Sequence, residues 1–333
     1  KEAAFATSGI KTVYWLQQFP TIFKQLMAEA SSVYINTNEH LRASTEVETR
    51  EDRFIKKLKI DYPAHNYLKS AHIMHKIRSI KDAIEIDLMQ RACKITEAGV
   101  RRILPFIKPG VWEYEIEAEF AHEFLRNRSK GFAYTPIIAS GKNACVLHYI
   151  ENNQQCKDGD VILLDVGAEY ANYSSDLTRC IPVNGKFTPR QKEVYNAVLN
   201  VKKEAEKLLV PGTIMAEYHK EVGKLMEAQL LNLKLIDQTD IKNQNPEWPA
   251  YKKYFMHGTS HFLGLDTHDV GLWHEPIQAG MVFTCEPGIY IPEEGLGIRL
   301  EDDLVIQASG QPFNLMKDIP LEAEEIEELM NTH

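Results

Sequence analysis

The sequence predicts a mixed α/β (α+β) fold in which one helix–helix–sheet unit occurs twice, behind a partial α/β N-terminal domain. Three observations carry this. Helical periodicities recur in two pairs, each broken by Pro-Gly. Each pair runs into the same glycine-bracketed strand signature, and residues 1–78 are too few and too irregular for a complete α/β domain.

Residues 1–78 mix a helical stretch from Val13 to Ala30, a strand-like run Ser32-Val33-Tyr34-Ile35-Asn36 and a charged region from Thr45 to Lys59. They read as part of an N-terminal domain and its linker, with a second domain over 79–333. The chain opens on Lys1 rather than Met, so further residues are expected before it.

Beyond residue 79, Ile84, Ile86, Leu88, Met89, Cys93, Ile95 and Val100 follow helical spacing. Ile116, Ala118, Phe120, Ala121 and Phe124 do so again, with Pro109-Gly110 between the two helices. The order then recurs as a helix from Gln191 to Leu209, a break at Pro211-Gly212 and a helix from Met215 to about Leu230. After each pair an acid stands six residues past one glycine and two before the next, in Gly159…Asp165…Gly167 and in Gly280…Glu286…Gly288. The second half is longer, through the polar segment Asp237 to Tyr251. Such a duplication can bring one acid from each half to a shared centre.

Composition narrows the function. With 333 residues, 44% of them hydrophobic, the chain can build roughly two cores. A net charge of −9 and a pI near 5.8 argue against nucleic-acid or anionic-membrane partners, which need clustered Lys and Arg. Apolar runs such as Val161-Ile162-Leu163-Leu164 are too short to span a bilayer. Five scattered cysteines (Cys93, Cys145, Cys156, Cys180 and Cys285) contain no C-x-x-C pair. They suit the reduced thiols of a cytoplasmic protein rather than a disulfide framework or a zinc–thiolate site.

The acids fall into two hairpins. A turn centred between Tyr170 and Ala171 sets Asp165 opposite Asp176, and one centred between Glu293 and Glu294 sets Glu286 opposite Glu301. Facing like charges destabilise a sheet. A single acid of this kind reads more simply as a solvated outer-face residue. Here, however, Asp165 ends the apolar run Val161–Leu164 and Glu286 follows Val282-Phe283, both buried-strand patterns. Two equivalent pairs of buried acids call for cations, and four carboxylates round one centre suit two divalent metals.

A further ligand is expected from His257, His261 or His268, three histidines within twelve positions among glycines and small polar residues. His257 and His261 share a face in a helix or a strand, so spacing alone does not choose between them. Cys285 precedes Glu286 on a strand and should point away. Arg299 lies two residues from Glu301 on the same strand face, where it either orients the acids or makes a surface ion pair.

At this point the stretches Leu147-His148-Tyr149, Asp165 through Asp176 to Arg179, His257-Gly-Thr-Ser-His261, Glu286-Pro-Gly-Ile-Tyr290 and Arg299-Leu-Glu301-Asp-Asp resemble the aminopeptidase P family. Prolidase and methionine aminopeptidase are its relatives. The resemblance covers about residues 79–333 and implies the pita-bread fold, duplicated units around a curved antiparallel sheet. It implies Asp165, Asp176, His261, Glu286 and Glu301 as ligands of two divalent ions, with His148 and His268 lining the site. It also implies an N-terminal domain of the creatinase/aminopeptidase-P type and a homo-oligomer, dimer or tetramer.

The oxygen-rich set with one imidazole favours Mn²⁺, Fe²⁺ or Co²⁺ and admits Zn²⁺; the resemblance points to Mn²⁺. The expected chemistry is attack by an activated water, with Glu286 moving its proton to the leaving nitrogen. His268 would hydrogen-bond the tetrahedral intermediate and His148 would orient the carbonyl. Proline specificity, for peptides with an Xaa-Pro N-terminus, rests on the resemblance, with Tyr290 as a candidate wall of an aromatic proline pocket. The rival readings are a dipeptide-limited prolidase and a metal-free binding module or creatine-type amidinohydrolase of the same fold. The short approach from His268 to Gly280 and the complete ligand set favour the aminopeptidase.

Overall fold

The computed structural model describes residues 1–37, 39 and 46–332. The chain divides into two compact units, Lys1–His75 and Lys76–His333, where the sequence reading drew the boundary after residue 78.

The first unit holds α1 (Glu2–Ser8), α2 (Phe19–Glu29), β1 (Ser32–Ile35), α3 (Arg50–Asp61) and β2 (Asn66–Lys69), with α4 (Ala71–Ser79) following. β1 and β2 run parallel, with Ser32 opposite Asn66. Met27, Ile35, Ile55 and Leu58 form a small core. The helix expected from Val13 begins only with a 3₁₀ turn at Leu16, because Pro20 suits a first helical turn and α2 starts there. The charged region is α3, started by Thr49, whose hydroxyl accepts the Asp52 N–H while the Asp52 carboxylate takes the Thr49 N–H. Thr45 lies outside the described residues.

In the second unit α5 (Ala83–Ile103) and α6 (Glu113–Arg126) precede β3 (Ile137–Ser140), β4 (Val161–Val166), β5 (Glu169–Tyr170), β6 (Tyr173–Ser174) and β7 (Leu177–Pro182). Next come α7 (Pro189–Leu208), α8 (Met215–Asn232) and the short α9 (Gln238–Lys242). The strands β8 (Val282–Cys285), β9 (Gly288–Ile291), β10 (Leu296–Arg299), β11 (Asp302–Val305) and β12 (Phe313–Asn314) and helix α10 (Ala323–Asn331) complete it. Local chemistry marks the boundaries. Asp82 caps α5, accepting the Ile84 and Glu85 N–H groups, and Thr188 with Pro189 opens α7. Gly110 and Gly212 both take positive φ, 97° and 93°, where the two helix pairs turn.

The repeat is visible in the sheets. β4 lies between β3 and β7, and β11 lies between β12 and β8, all antiparallel. In the second half the place of β3 is taken by an isolated bridge, Phe262 to Phe283. The two halves join where the Glu301 N–H donates to the Thr178 carbonyl at 3.1 Å. Val161 to Leu164 are buried throughout, in one continuous core with the helices, so both acid-bearing hairpins emerge from dry strands. Among the described residues no helix is long and apolar enough to cross a membrane.

Candidate metal centre

The first hairpin is not in the expected register. Asp165 faces Thr178, and the ladder continues through Val166–Leu177 to Tyr170–Tyr173. The turn is therefore Ala171-Asn172, both at positive φ (52° and 71°), one residue later than the sequence suggested. That backbone matches the twist of a two-residue hairpin, and Asn tolerates it well. The shift sets Gly167 opposite Asp176. Asp165 and Asp176 become diagonal neighbours on one face, and any side chain at Gly167 would strike the Ser175 carbonyl and crowd the Tyr134 ring. Both then reach the Tyr134 hydroxyl, 2.6 Å from Asp165 Oδ1 and 2.6 Å from Asp176 Oδ1.

The second hairpin keeps the expected register. Cys285 faces Asp302 below it and Gly288 faces Arg299 above, so Glu286 lies opposite Glu301. Gly295 closes the turn in the left-handed region. Cys285 is buried and sits 3.7 Å from the Tyr218 hydroxyl, turned away from the acids.

His261 rides the segment alongside β8, where its N–H meets Thr284 Oγ1 and its carbonyl accepts the Thr284 N–H. Its Nδ1 lies 2.9 Å from the Phe262 carbonyl, which orients the ring and leaves Nε2 toward the acids. That nitrogen is 3.4 Å from Asp176 Oδ2 and 3.6 Å from Glu286 Oε1. Atoms of Asp176, His261 and Glu301 all lie within 4.8 Å of one another. The two hairpins and the histidine segment thus converge on one point.

The electrostatics fit a centre completed by cations. Among the described residues only Arg299 pairs a permanent cation with any of the four acids. Burial drives the Asp165 carboxyl up, even with Arg299 opposing it. Burial likewise raises Glu286 to about 7, and it raises Glu301 well above the carboxylate range, aided by the charges of Asp176 and Glu286. His261 is raised as well, for a different reason: burial disfavours its charge, but Asp176 and Glu286 outweigh that. The Tyr134 contacts make the same point, since a single hydroxyl hydrogen is shared between two carboxylates. Four carboxylates and one imidazole, short of positive charge, suit divalent metal ions.

The remaining expected residues stand around this point. Arg299 is buried and ties the halves together, donating to Asp165 Oδ2 at 2.6 Å, Thr178 Oγ1 at 3.0 Å and the Tyr290 hydroxyl at 2.8 Å. The surface ion-pair reading of Arg299 is excluded by that burial. The His257 Nδ1 is 3.7 Å from Glu286 Oε2, its Nε2 meets the Tyr290 hydroxyl at 2.8 Å, and burial with Arg299 nearby lowers its pKa to about 3. His268 is exposed, its ring 4.4 Å from that of His261, and His148 is exposed and close enough for its charge to act on His257. Tyr290 departs from expectation. It is wholly buried, with its hydroxyl engaged by Arg299 and His257, so its ring offers no open wall to a proline.

Several participants escape sequence reasoning. Tyr134 precedes β3 without any motif spacing to mark it. Thr178 donates to Glu301 Oε2 at 2.6 Å, and Asp303 Oδ2 accepts the Asp176 N–H at 3.0 Å. Behind them Arg179, Lys202 and Asp302 form a buried ion triad, and Arg179 also donates to the Glu301 carbonyl at 2.7 Å. Thr178, Arg179, Asp302 and Asp303 lie inside the stretches that carry the family resemblance, and that is the signal available for them in the sequence.

The model of metallopeptidase family M24 matches residues 87–308. The Xaa-Pro aminopeptidase of Haemophilus influenzae is 36% identical over 97% of this chain and 75% of its own length. That of Escherichia coli is 41% identical over 78% of this chain and 60% of its own length. The solved structure of proline aminopeptidase P II from Yersinia pestis superposes with a TM-score of 0.87 at 34% identity, covering 99% of this chain and 77% of that one. The chain therefore spans about six-tenths to three-quarters of the length of these relatives. With the pita-bread architecture of the solved neighbours and the convergent acids described above, this chain belongs to metallopeptidase family M24.

Proposed function

We propose that this chain is a metal-dependent Xaa-Pro aminopeptidase, releasing the first residue from peptides with proline second. The single observation that carries the chemistry is the convergence of Asp165, Asp176, His261, Glu286 and Glu301 from both halves of the duplication. The substrate class is supported by the names of the relatives. The proposed ligands are those five residues, holding two divalent ions, with Mn²⁺ the favoured metal. When bound, such ions supply Lewis-acid polarisation of a carbonyl and a water of lowered pKa.

The chain's own residues divide the remaining work. Glu286, which faces Glu301 across the second hairpin, is assigned to take a proton and return it to the leaving nitrogen. His268, beside His261, is assigned to the developing oxyanion, and His148 to the scissile carbonyl. His257 meets the Tyr290 hydroxyl, that hydroxyl accepts from Arg299, and Arg299 donates to Asp165. The five cysteines are all free, which supports a reducing, cytoplasmic setting. A homo-oligomer is proposed on family resemblance, and light scattering tests it.

Two measurements test the core of the reading. With Mn²⁺ present, an Xaa-Pro-Xaa tripeptide should be cleaved at its first bond; activity confined to Xaa-Pro dipeptides would make the protein a prolidase instead. Asp176→Ala should lower turnover by about a thousandfold or more, with the far-ultraviolet circular dichroism unchanged. An unaffected rate would remove the proposed site.

A further inference from the structure

Glu113, the first residue of α6, is fully buried, and no Lys, Arg or His among the described residues pairs with it. A buried acid in that position is costly unless donors satisfy it. Here five do. Oε1 accepts the Ser140 N–H at 2.8 Å, the Ser140 hydroxyl at 2.7 Å and Asn143 Nδ2 at 3.3 Å. Oε2 accepts the Tyr149 hydroxyl at 2.7 Å and the Gln154 N–H at 2.9 Å.

These donors belong to one feature. Ser140 ends β3, Asn143 lies in the 3₁₀ turn that follows, and Tyr149 and Gln154 bring the chain back toward α6. One carboxylate therefore ties the entrance of this loop to its exit. Asn152 adds a second clip, accepting the Ile138 N–H at 2.9 Å and donating to Glu117 at 2.8 Å. In between, the loop rests on β10, where Ala144 O would lie 2.3 Å from a Cβ at Gly297. Tyr149 is buried by this anchoring, while its neighbour His148 stays exposed. Burial, reinforced by Glu113, pushes the Tyr149 hydroxyl up to about 12, so it serves as a donor across the working pH range.

We propose that Glu113 is a positioning residue for the peptidase reaction, clamping the loop from Gly141 to Asn153 so that His148 is presented to the substrate carbonyl. The inference rests on the role given to His148 under the proposed function.

A double-mutant cycle of Glu113→Gln and His148→Ala tests it, read as kcat and KM on an Xaa-Pro-Xaa tripeptide with Mn²⁺. The amide keeps the shape of the side chain but turns an NH₂ group toward donors. Glu113→Gln alone should lower kcat/KM about tenfold, mainly in kcat, with Mn²⁺ affinity by calorimetry within about twofold of the parent. In the His148→Ala background the same change should cost less than about twofold. Equal losses in both backgrounds, or no loss in the parent, overturn the inference while leaving His148 in place. Parent-like turnover in His148→Ala alone overturns the role of His148, and the inference with it. Should Glu113→Gln not fold, Tyr149→Phe removes a single hydrogen bond from Glu113 and runs through the same cycle with the same expectations.

Discussion

Arg299 Nη2 stands 2.6 Å from Asp165 Oδ2, so a strand of the second half holds the first acid of the first half. The same guanidinium donates to Thr178 and to Tyr290, three directions that a planar fork satisfies and a single ammonium does not. Arg299→Lys should therefore lower kcat/KM by about tenfold to a hundredfold despite keeping the charge. Steady-state kinetics on the tripeptide check this, and full activity in the lysine variant would show that charge alone suffices.

Tyr134 places its one hydroxyl between Asp165 and Asp176, at 2.6 Å from each. Tyr134→Phe leaves both carboxylates but removes what holds them at this separation. Metal affinity should fall by about tenfold to a hundredfold, measured by calorimetric titration with Mn²⁺. Affinity equal to the parent would limit Tyr134 to packing.

Metal removal should make stability depend on pH in a definite sense. In the metal-free protein Glu286 is raised from 4.5 to about 7. Below about pH 4.5 both folded and unfolded chains keep this proton, and the group contributes no difference. Between about 4.5 and 7 the unfolded chain releases it first, so stability falls as pH rises. Above that window the loss is constant, at most on the order of 3 kcal/mol from this group. Thermal melts of chelated and Mn²⁺-loaded protein should diverge progressively from pH 5 to pH 7; parallel curves would contradict the assignment.

Asp302 is buried between Arg179 and Lys202, at 2.6 Å from each. Burial would raise its pKa, yet the two cations hold it below the ordinary carboxylate value. Asp302→Ala strands those two buried cations, leaving Lys202 with Glu206 as its one carboxylate among the described residues. Denaturant unfolding should show a loss of about 3–5 kcal/mol. The metal ligands are untouched directly, so residual activity in the folded fraction separates this effect from a defect in the site.

Much of the protein can be read along the chain. The duplication, its helix pairs and its glycine-bracketed strands are local patterns, carried by periodicity, Pro-Gly breaks and turn chemistry. The pairing of Glu286 with Glu301 follows as well, because Pro292 to Gly295 define that turn. The pairing of Asp165 with Asp176 does not. It depends on whether Tyr170-Ala171 or Ala171-Asn172 takes the turn, and a shift there changes which residues face each other. Only the tertiary structure decided that Asp165 lies opposite Thr178, that Tyr134 bridges two acids, and that Tyr290 is buried support rather than an open wall. The first two contacts form within the first half and the third within the second, yet each depends on how a turn or a preceding segment is laid against the sheet, which no local pattern records.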